Sequence, residues 1–188
     1  AIGTYDIKIF TELTNDANKL NDTIQIEILN EFCIPESNCV FGDYIEFFSL
    51  NTLQNTSDCG VDGYSDFTNL STILERGKTY DFEIKSQEIL QYLSVWIDFN
   101  NNNFFDENEI LLENIPYDYD TILPILIPGN VPLGNHILRC RINYDASSNN
   151  PCEDYSFGET EDYMVEIALP TNNQNVLNQY SIYSTNLG

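Results

Sequence analysis

Basic residues are scarce: 7 Lys and Arg stand against 30 Asp and Glu, a formal net charge of -23 over 188 residues. Nothing of this composition could neutralise a phosphate backbone, so nucleic-acid binding is excluded as a function class. Long apolar runs are missing too; none reaches the ~18 residues that a membrane span requires. The chain has one His, one Met and one Trp. No cysteines stand in a C-x-x-C pair and the lone His136 cannot complete a zinc set, which argues against structural zinc. Helical periodicity is nearly absent. No P-loop, dinucleotide fingerprint or nucleophile elbow occurs. No secretory leader opens the chain either: Ala1-Ile2-Gly3-Thr4-Tyr5 reads as mid-chain sequence, as expected of a fragment of a longer protein.

What is present is apolar material in short alternating runs. Hydrophobic residues make up 42% and aromatics 13%, with 12 Tyr and 11 Phe, enough for a β-rich core despite the charge. Period-2 alternation runs through 5–9, 23–28, 80–84, 93–97 and 163–167, and less regularly through 43–50, 70–74, 121–127 and 136–144. Short strands every ~10 to 15 residues, punctuated by Asn, Asp, Gly and Pro, predict an all-β fold: an antiparallel β-sandwich, jelly-roll or Ig-like.

Composition sets the boundaries. Residues 1–30 give two strands joined by the polar loop 14–22; they end a preceding domain or pack on the main one, since two strands alone do not make a stable unit. The main sandwich is expected over 31–169. Residues 170–188 form a linker and the start of a C-terminal module, with Tyr180-Ser181-Ile182-Tyr183 as its first strand.

The strongest constellation for chemistry runs from Asp98 to Glu109. Counting Asp98 as position 1, side-chain oxygens fall at positions 1, 3, 5, 9 and 12 (Asp98, Asn100, Asn102, Asp106, Glu109), with the Phe104 carbonyl at 7; this is the spacing of an EF-hand calcium loop. Hard cations take oxygen ligands, and a tight polar loop turns alternate side chains inward. Position 6 is Asn103 rather than Gly, and Asn is the next-best residue at positive φ. The expected ion is Ca²⁺, held weakly. A second group, Gly158-Glu159-Thr160-Glu161-Asp162-Tyr163, puts three carboxylates in four residues; from spacing alone it reads as a solvated loop entering the last strand, as does Tyr64-Ser65-Asp66-Phe67-Thr68. His136 lies in phase with the core and reads as structural rather than as a general base. In 136–144 the apolar set is Leu138, Cys140, Ile142 and Tyr144, with Arg139 and Arg141 opposite, so Cys140 reads as a small buried core residue. Asp22-Thr23-Ile24 and Asp120-Thr121-Ile122 fit a short O-glycosylation pattern of exported bacterial proteins.

Taken in order, Cys33-Ile34-Pro35, Gly42-Asp43-Tyr44-Ile45, Gly63-Tyr64-Ser65-Asp66-Phe67-Thr68, Val95-Trp96-Ile97-Asp98-Phe99-Asn100, Leu138-Arg139-Cys140-Arg141, Pro151-Cys152 and Gly158-Glu159-Thr160-Glu161-Asp162-Tyr163 resemble the GEVED domain of exported Bacteroidetes proteins over about 32–168. Thr160 stands where the family's name motif has Val. The N-terminal flank resembles the tail of a CARDB-type, Ig-like adhesion domain. The C-terminal flank resembles the start of a type IX secretion sorting domain, without its Pro-Asn-Pro. The resemblance implies a non-catalytic accessory module, secreted or at the cell surface. It also implies ion binding at Asp98, Asn100 and Asn102, and a shared structural or cation site at Asp66, Glu159, Glu161 and Asp162.

For the cysteines, Cys39–Cys59 closes a loop worth ~3 kcal/mol in the chain-entropy model, and Cys33–Cys152 would tie the first strand to the last loop; Cys140–Cys152 is the rival pairing. The expected function is a calcium-stabilised module serving adhesion, carbohydrate or matrix binding, or acting as a spacer beside other domains of its polypeptide. Tyr117, Tyr119 and Tyr155 are candidates for stacking a surface glycan. The alternative is a fragment of a secreted peptidase or glycosidase whose catalytic part lies elsewhere.

Overall fold

The structure, a computed structural model, describes residues 3–10, 23–144 and 150–171. The interstrand loop 14–22 and the linker and strand of the C-terminal module lie outside the described residues, except Pro170 and Thr171. Among the described residues eleven strands run β1 Gly3–Phe10, β2 Thr23–Asn30, β3 Ile45–Leu50, β4 Leu53–Thr56, β5 Tyr64–Glu75, β6 Thr79–Ser86, β7 Gln91–Ile97, β8 Ile110–Tyr117, β9 Asp120–Leu126, β10 Gly134–Tyr144 and β11 Gly158–Ala168. β1 and β2 pair with each other as a two-stranded sheet. The other nine form a five-stranded sheet in the order β5-β11-β10-β7-β8 and a four-stranded sheet in the order β4-β3-β6-β9.

The all-β sandwich stands as expected, with one departure from antiparallel pairing: β5 and β11 run parallel. They are far apart in sequence, so no hairpin fixes their relative direction. Pro116 and Pro124 fall in β8 and β9, the outermost strands of the two sheets, where a missing ladder donor costs least.

The two sheets face each other over Phe48, Phe82 and Ile84 on one side and Leu93, Val95, Leu138, Cys140, Ile142 and Tyr163 on the other, all buried. Phe48 stacks on Tyr163 at 4.0 Å and meets Phe82 edge-on at 5.3 Å. The five-stranded sheet is covered on its far side as well. Trp96, Arg139, Arg141 and Asp162 point there and are buried under the segment 31–41, the loop 98–109 and the loop 150–157. The alternation of β10 therefore separates an apolar inner face from a polar buried outer face, not from solvent.

The cysteines pair as Cys33–Cys152 and Cys39–Cys59, and Cys140 is a free, buried thiol. Burial pushes the Cys140 thiol well up, and the nearby Glu161 and Glu159 carboxylates add to it, so it is inert as a nucleophile.

Candidate functional site

The loop after β7 folds around Asp98, which is only 1% exposed. One carboxylate oxygen accepts the backbone N–H of Asn102 at 3.2 Å and the other that of Asn103 at 3.0 Å. The next two oxygen-bearing side chains repeat the turn: Asn100 Oδ1 accepts the N–H of Asn102 at 2.9 Å, and Asn102 Oδ1 that of Phe104 at 2.8 Å. Local side-chain acceptors of this kind let Asn and Asp shape a chain into consecutive tight turns. Asn101 and Asn103 take positive φ, 55° and 64°, so the Asn at position 6 performs the turn that Gly would.

Positions 9 and 12 close on the same loop. Asp106 Oδ2 accepts from Asn100 Nδ2 at 2.9 Å and Asn102 Nδ2 at 3.2 Å. Glu109 accepts the N–H of Asn100 at 3.1 Å on one oxygen and that of Asp106 at 2.9 Å on the other. Burial pushes the Glu109 carboxyl up, hydrogen bonds from Asp106 and Asn100 oppose the rise, and the charges of Asp98 and Asp106 add to it. The structure thus brings Asp98, Asn100, Asn102, Asp106 and Glu109 together, with Phe104 on the loop and its ring 62% exposed. Among the described residues no three carboxylate, imidazole or thiol groups converge in metal-binding geometry. The oxygen set here is mixed: three carboxylates, two carboxamides and a carbonyl. Such donors are of the kind that suits a hard cation of variable coordination.

His136 is 1% exposed and anchors this loop to β10. Its Nδ1 lies 3.0 Å from the Asp98 carbonyl and 3.2 Å from Asn101 Oδ1, and its Nε2 3.3 Å from the Pro132 carbonyl. That is the structural role its phase implies.

The acidic start of β11 is not a solvated loop. Glu159, Glu161 and Asp162 are at most 2% exposed, and their partners lie across the fold. Glu159 accepts the N–H of Ile45 at 2.8 Å and of Gly60 at 2.7 Å, with Ser65 Oγ at 3.4 Å. Glu161 meets Ser57 Oγ and Tyr163 Oη, each at 2.7 Å. Both side chains point into the sandwich. Asp162 points outward, where Arg139 grips it from Nε and Nη2 at 2.8 and 2.7 Å and Tyr64 Oη donates at 2.9 Å. Asp66 is its register neighbour on β5, exposed, and accepts the Thr68 N–H at 2.9 Å. The four carboxylates therefore do not form one site: two face the core, two the outer face. Gly158 opens the strand at φ 139°, and a Cβ there would strike the Ile142 carbonyl. Gly158→Ala should destabilise the fold by about 1 to 3 kcal/mol, read as a lowered urea midpoint at unchanged slope.

On the outer face a cavity of about 470 Å³ lies between the segment 31–34 and β5, β10 and β11, bordered by Phe32, Tyr64, Asp66, Asp98, His136 and Asp162. The tyrosine candidates fare unequally. Tyr117 is 8% exposed and packs in the core, so its ring is closed to a glycan; its place at the end of β8 turns it inward. Tyr155 lies over the Arg141 guanidinium, 4.1 Å from ring centre to Cζ. Tyr119 is 58% exposed.

Two residues central to this region were not singled out as partners from sequence, Arg139 and Ser57. For Arg139 the signal was there: two of only seven basic residues sit on one face of one strand. For Ser57 nothing marks it among the chain's many hydroxyls.

No curated protein matches the chain. Residues 92–166, from β7 to near the end of β11, match the GEVED domain family, a span narrower than the sequence resemblance but one that holds both the Asp98 loop and the buried acidic strand. Over that span the chain is similar to the GEVED domain family.

Proposed function

We propose that this protein is a non-catalytic accessory module of a secreted or cell-surface multidomain protein, stabilised by Ca²⁺ in the 98–109 loop. The observation that carries the reading is the pinned Asp98 carboxylate: both oxygens are oriented by loop N–H groups while Asn100, Asn102, Asp106 and Glu109 fold around the same turn. Asp98 and Glu109 would hold the ion from buried positions, and Asn100, Asn102, Asp106 and the Phe104 carbonyl would complete the shell. The ion supplies charge neutralisation to three carboxylates crowded in one loop. Two disulfides support an oxidising, extracellular setting.

The test is thermal unfolding with Ca²⁺ and then with chelator. Ions that bind only the folded chain stabilise it by mass action. At about ten to a hundred times a dissociation constant of roughly 10⁻⁴ to 10⁻³ M, the gain is ~1.4 to 2.7 kcal/mol. Asp98→Ala should abolish the Ca²⁺-dependent rise. An unchanged melting temperature in millimolar Ca²⁺ would reduce the loop to a polar turn.

A further inference from the structure

Ser57 has one hydroxyl proton and two close acceptors. Its Oγ lies 2.8 Å from the Ile45 carbonyl and 2.7 Å from Glu161 Oε1. Neither a carbonyl nor an ionised carboxylate can donate. Were Glu161 ionised, one of these two short O···O contacts would hold no proton. We propose that Glu161 is a neutral carboxylic acid in the native protein, donating from Oε1 to Ser57, which donates in turn to the Ile45 carbonyl. The second oxygen completes the count: Tyr163 Oη donates to Oε2 at 2.7 Å and accepts from Asn55 Nδ2 at 3.0 Å. One shared proton then joins β11 to the start of β3 and the end of β4.

The surroundings favour that proton. Glu161 is 0% exposed. The titratable groups near it are Glu159, Asp162 and Tyr163 on its own strand and Cys140, its register partner on β10. From the other side it meets Ser57, just after β4, which in turn meets Ile45 of β3, while Asn55 of β4 meets Tyr163; its register partner on β5 is Ser65, and none of these carries a charge. The Arg139 guanidinium is on the other face of the sheet, committed to Asp162. Glu159 points the same way as Glu161 but is met by three donors, the arrangement an anion wants. Burial pushes the Glu159 carboxyl up to about 7 while those three hydrogen bonds oppose the rise, so Glu159 releases its proton before Glu161 does. Burial first, and the Glu159 charge second, push the Glu161 carboxyl up to about 8.

The sign of the pH effect follows. Above the unfolded carboxyl's titration the free chain has released this proton while the folded chain still holds it. Its stabilisation is full below the ordinary Glu range and is lost as pH rises through about 8. The net charge of -23 adds a general loss at high pH, so the readout is a difference between two proteins. In Glu161→Gln the amide nitrogen can donate to Ser57 and the amide oxygen accept from Tyr163, as the acid does.

Two measurements decide it: a carboxyl-¹³C NMR titration of the Glu residues in the unaltered chain, and melting temperature against pH for that chain and E161Q. We expect the Glu161 carboxyl to read neutral near pH 6, more than a unit above the usual Glu value of ~4.3. We expect E161Q to lose less stability than the unaltered protein as pH rises from about 5 to 8, between the unfolded and the folded titration of this carboxyl, and to run parallel to it above that range. A Glu161 carboxyl already ionised near pH 6, or equal pH slopes for the two proteins within that range, overturns the proposal. Should E161Q fail to fold, the NMR titration decides alone.

Discussion

Arg139→Met is expected to cost about 3 to 5 kcal/mol, the penalty of leaving a buried carboxylate without its partner. Every N–H of the guanidinium is used. Nε and one Nη2 proton hold Asp162, and the other Nη2 proton meets the Cys33 carbonyl at 2.9 Å. Nη1 donates to the Pro151 carbonyl at 2.9 Å and faces Cys33 Sγ at 3.1 Å. Phe105, Tyr64 and Phe32 ring the group at 5.0, 5.9 and 6.0 Å. Burial alone would lower the Arg139 pKa, yet the Asp162 pair raises it, so the cation is held where it is. Lys offers a point charge with three donors and cannot span this set, so Arg139→Lys should recover little. In urea unfolding the midpoint should fall at unchanged slope. The double variant Arg139→Met with Asp162→Leu should be more stable than Arg139→Met alone, because the orphaned charge goes too. A single-variant cost below about 1 kcal/mol would show that solvent reaches Asp162 and that the pair is a surface ion pair in disguise.

That environment explains how far the sequence could be read. Alternation, strict in 80–84, 93–97 and 163–167 and less regular in 136–144, marks strands wherever one face meets the core, and β6, β7, β10 and β11 lie there. β8 carries no such mark: Ile110-Leu111-Leu112-Glu113-Asn114-Ile115-Pro116 does not alternate, and its pairing with β7 is broken by two register shifts. β4 is only four residues long, and the first half of β5 carries turn-like residues that a parallel neighbour, β11, draws into the sheet. The loop at Asp98 was legible because its spacing is local: Asp98 to Glu109 is one contiguous turn, closed by its own N–H groups. The acids of β11 were not, because what decides between solvated and buried is the partner. Gly60, Ser57 and Ile45 lie about a hundred residues away, on another sheet or loop. Three adjacent carboxylates look like repulsion until one is given an Arg, one a ring of N–H donors and one a proton. Tyr117 differs from its sequence expectation for the same reason: the polar stretch around it predicts exposure, but position along β8 decides which way its ring points.

Removing the Cys33–Cys152 bridge as a Ser/Ser pair should be the largest single loss. It closes a separation of 119 residues against 20 for Cys39–Cys59. In the chain-entropy model that is about 5 kcal/mol against about 3. The bridge does more than shorten the unfolded chain. Cys33 and Pro151, on its two flanks, supply the carbonyls that Arg139 grips, so bridge and guanidinium hold the same two segments over β10. Their losses should therefore not add. In a double-mutant cycle of the bridge removal against Arg139→Met, we expect a coupling of about 0.5 to 3 kcal/mol, since contacting groups with shared partners fall in that range. The direction is fixed by the geometry: without the bridge the segments 31–34 and 150–152 loosen, Arg139 loses its carbonyls, and truncating it then costs less. Costs that add to within about 0.3 kcal/mol would mean that the segments stay in place without either the bridge or Arg139, held by other contacts such as the Glu36 N–H to Asp154 bond at 2.8 Å. The bridge would then act through the unfolded chain alone.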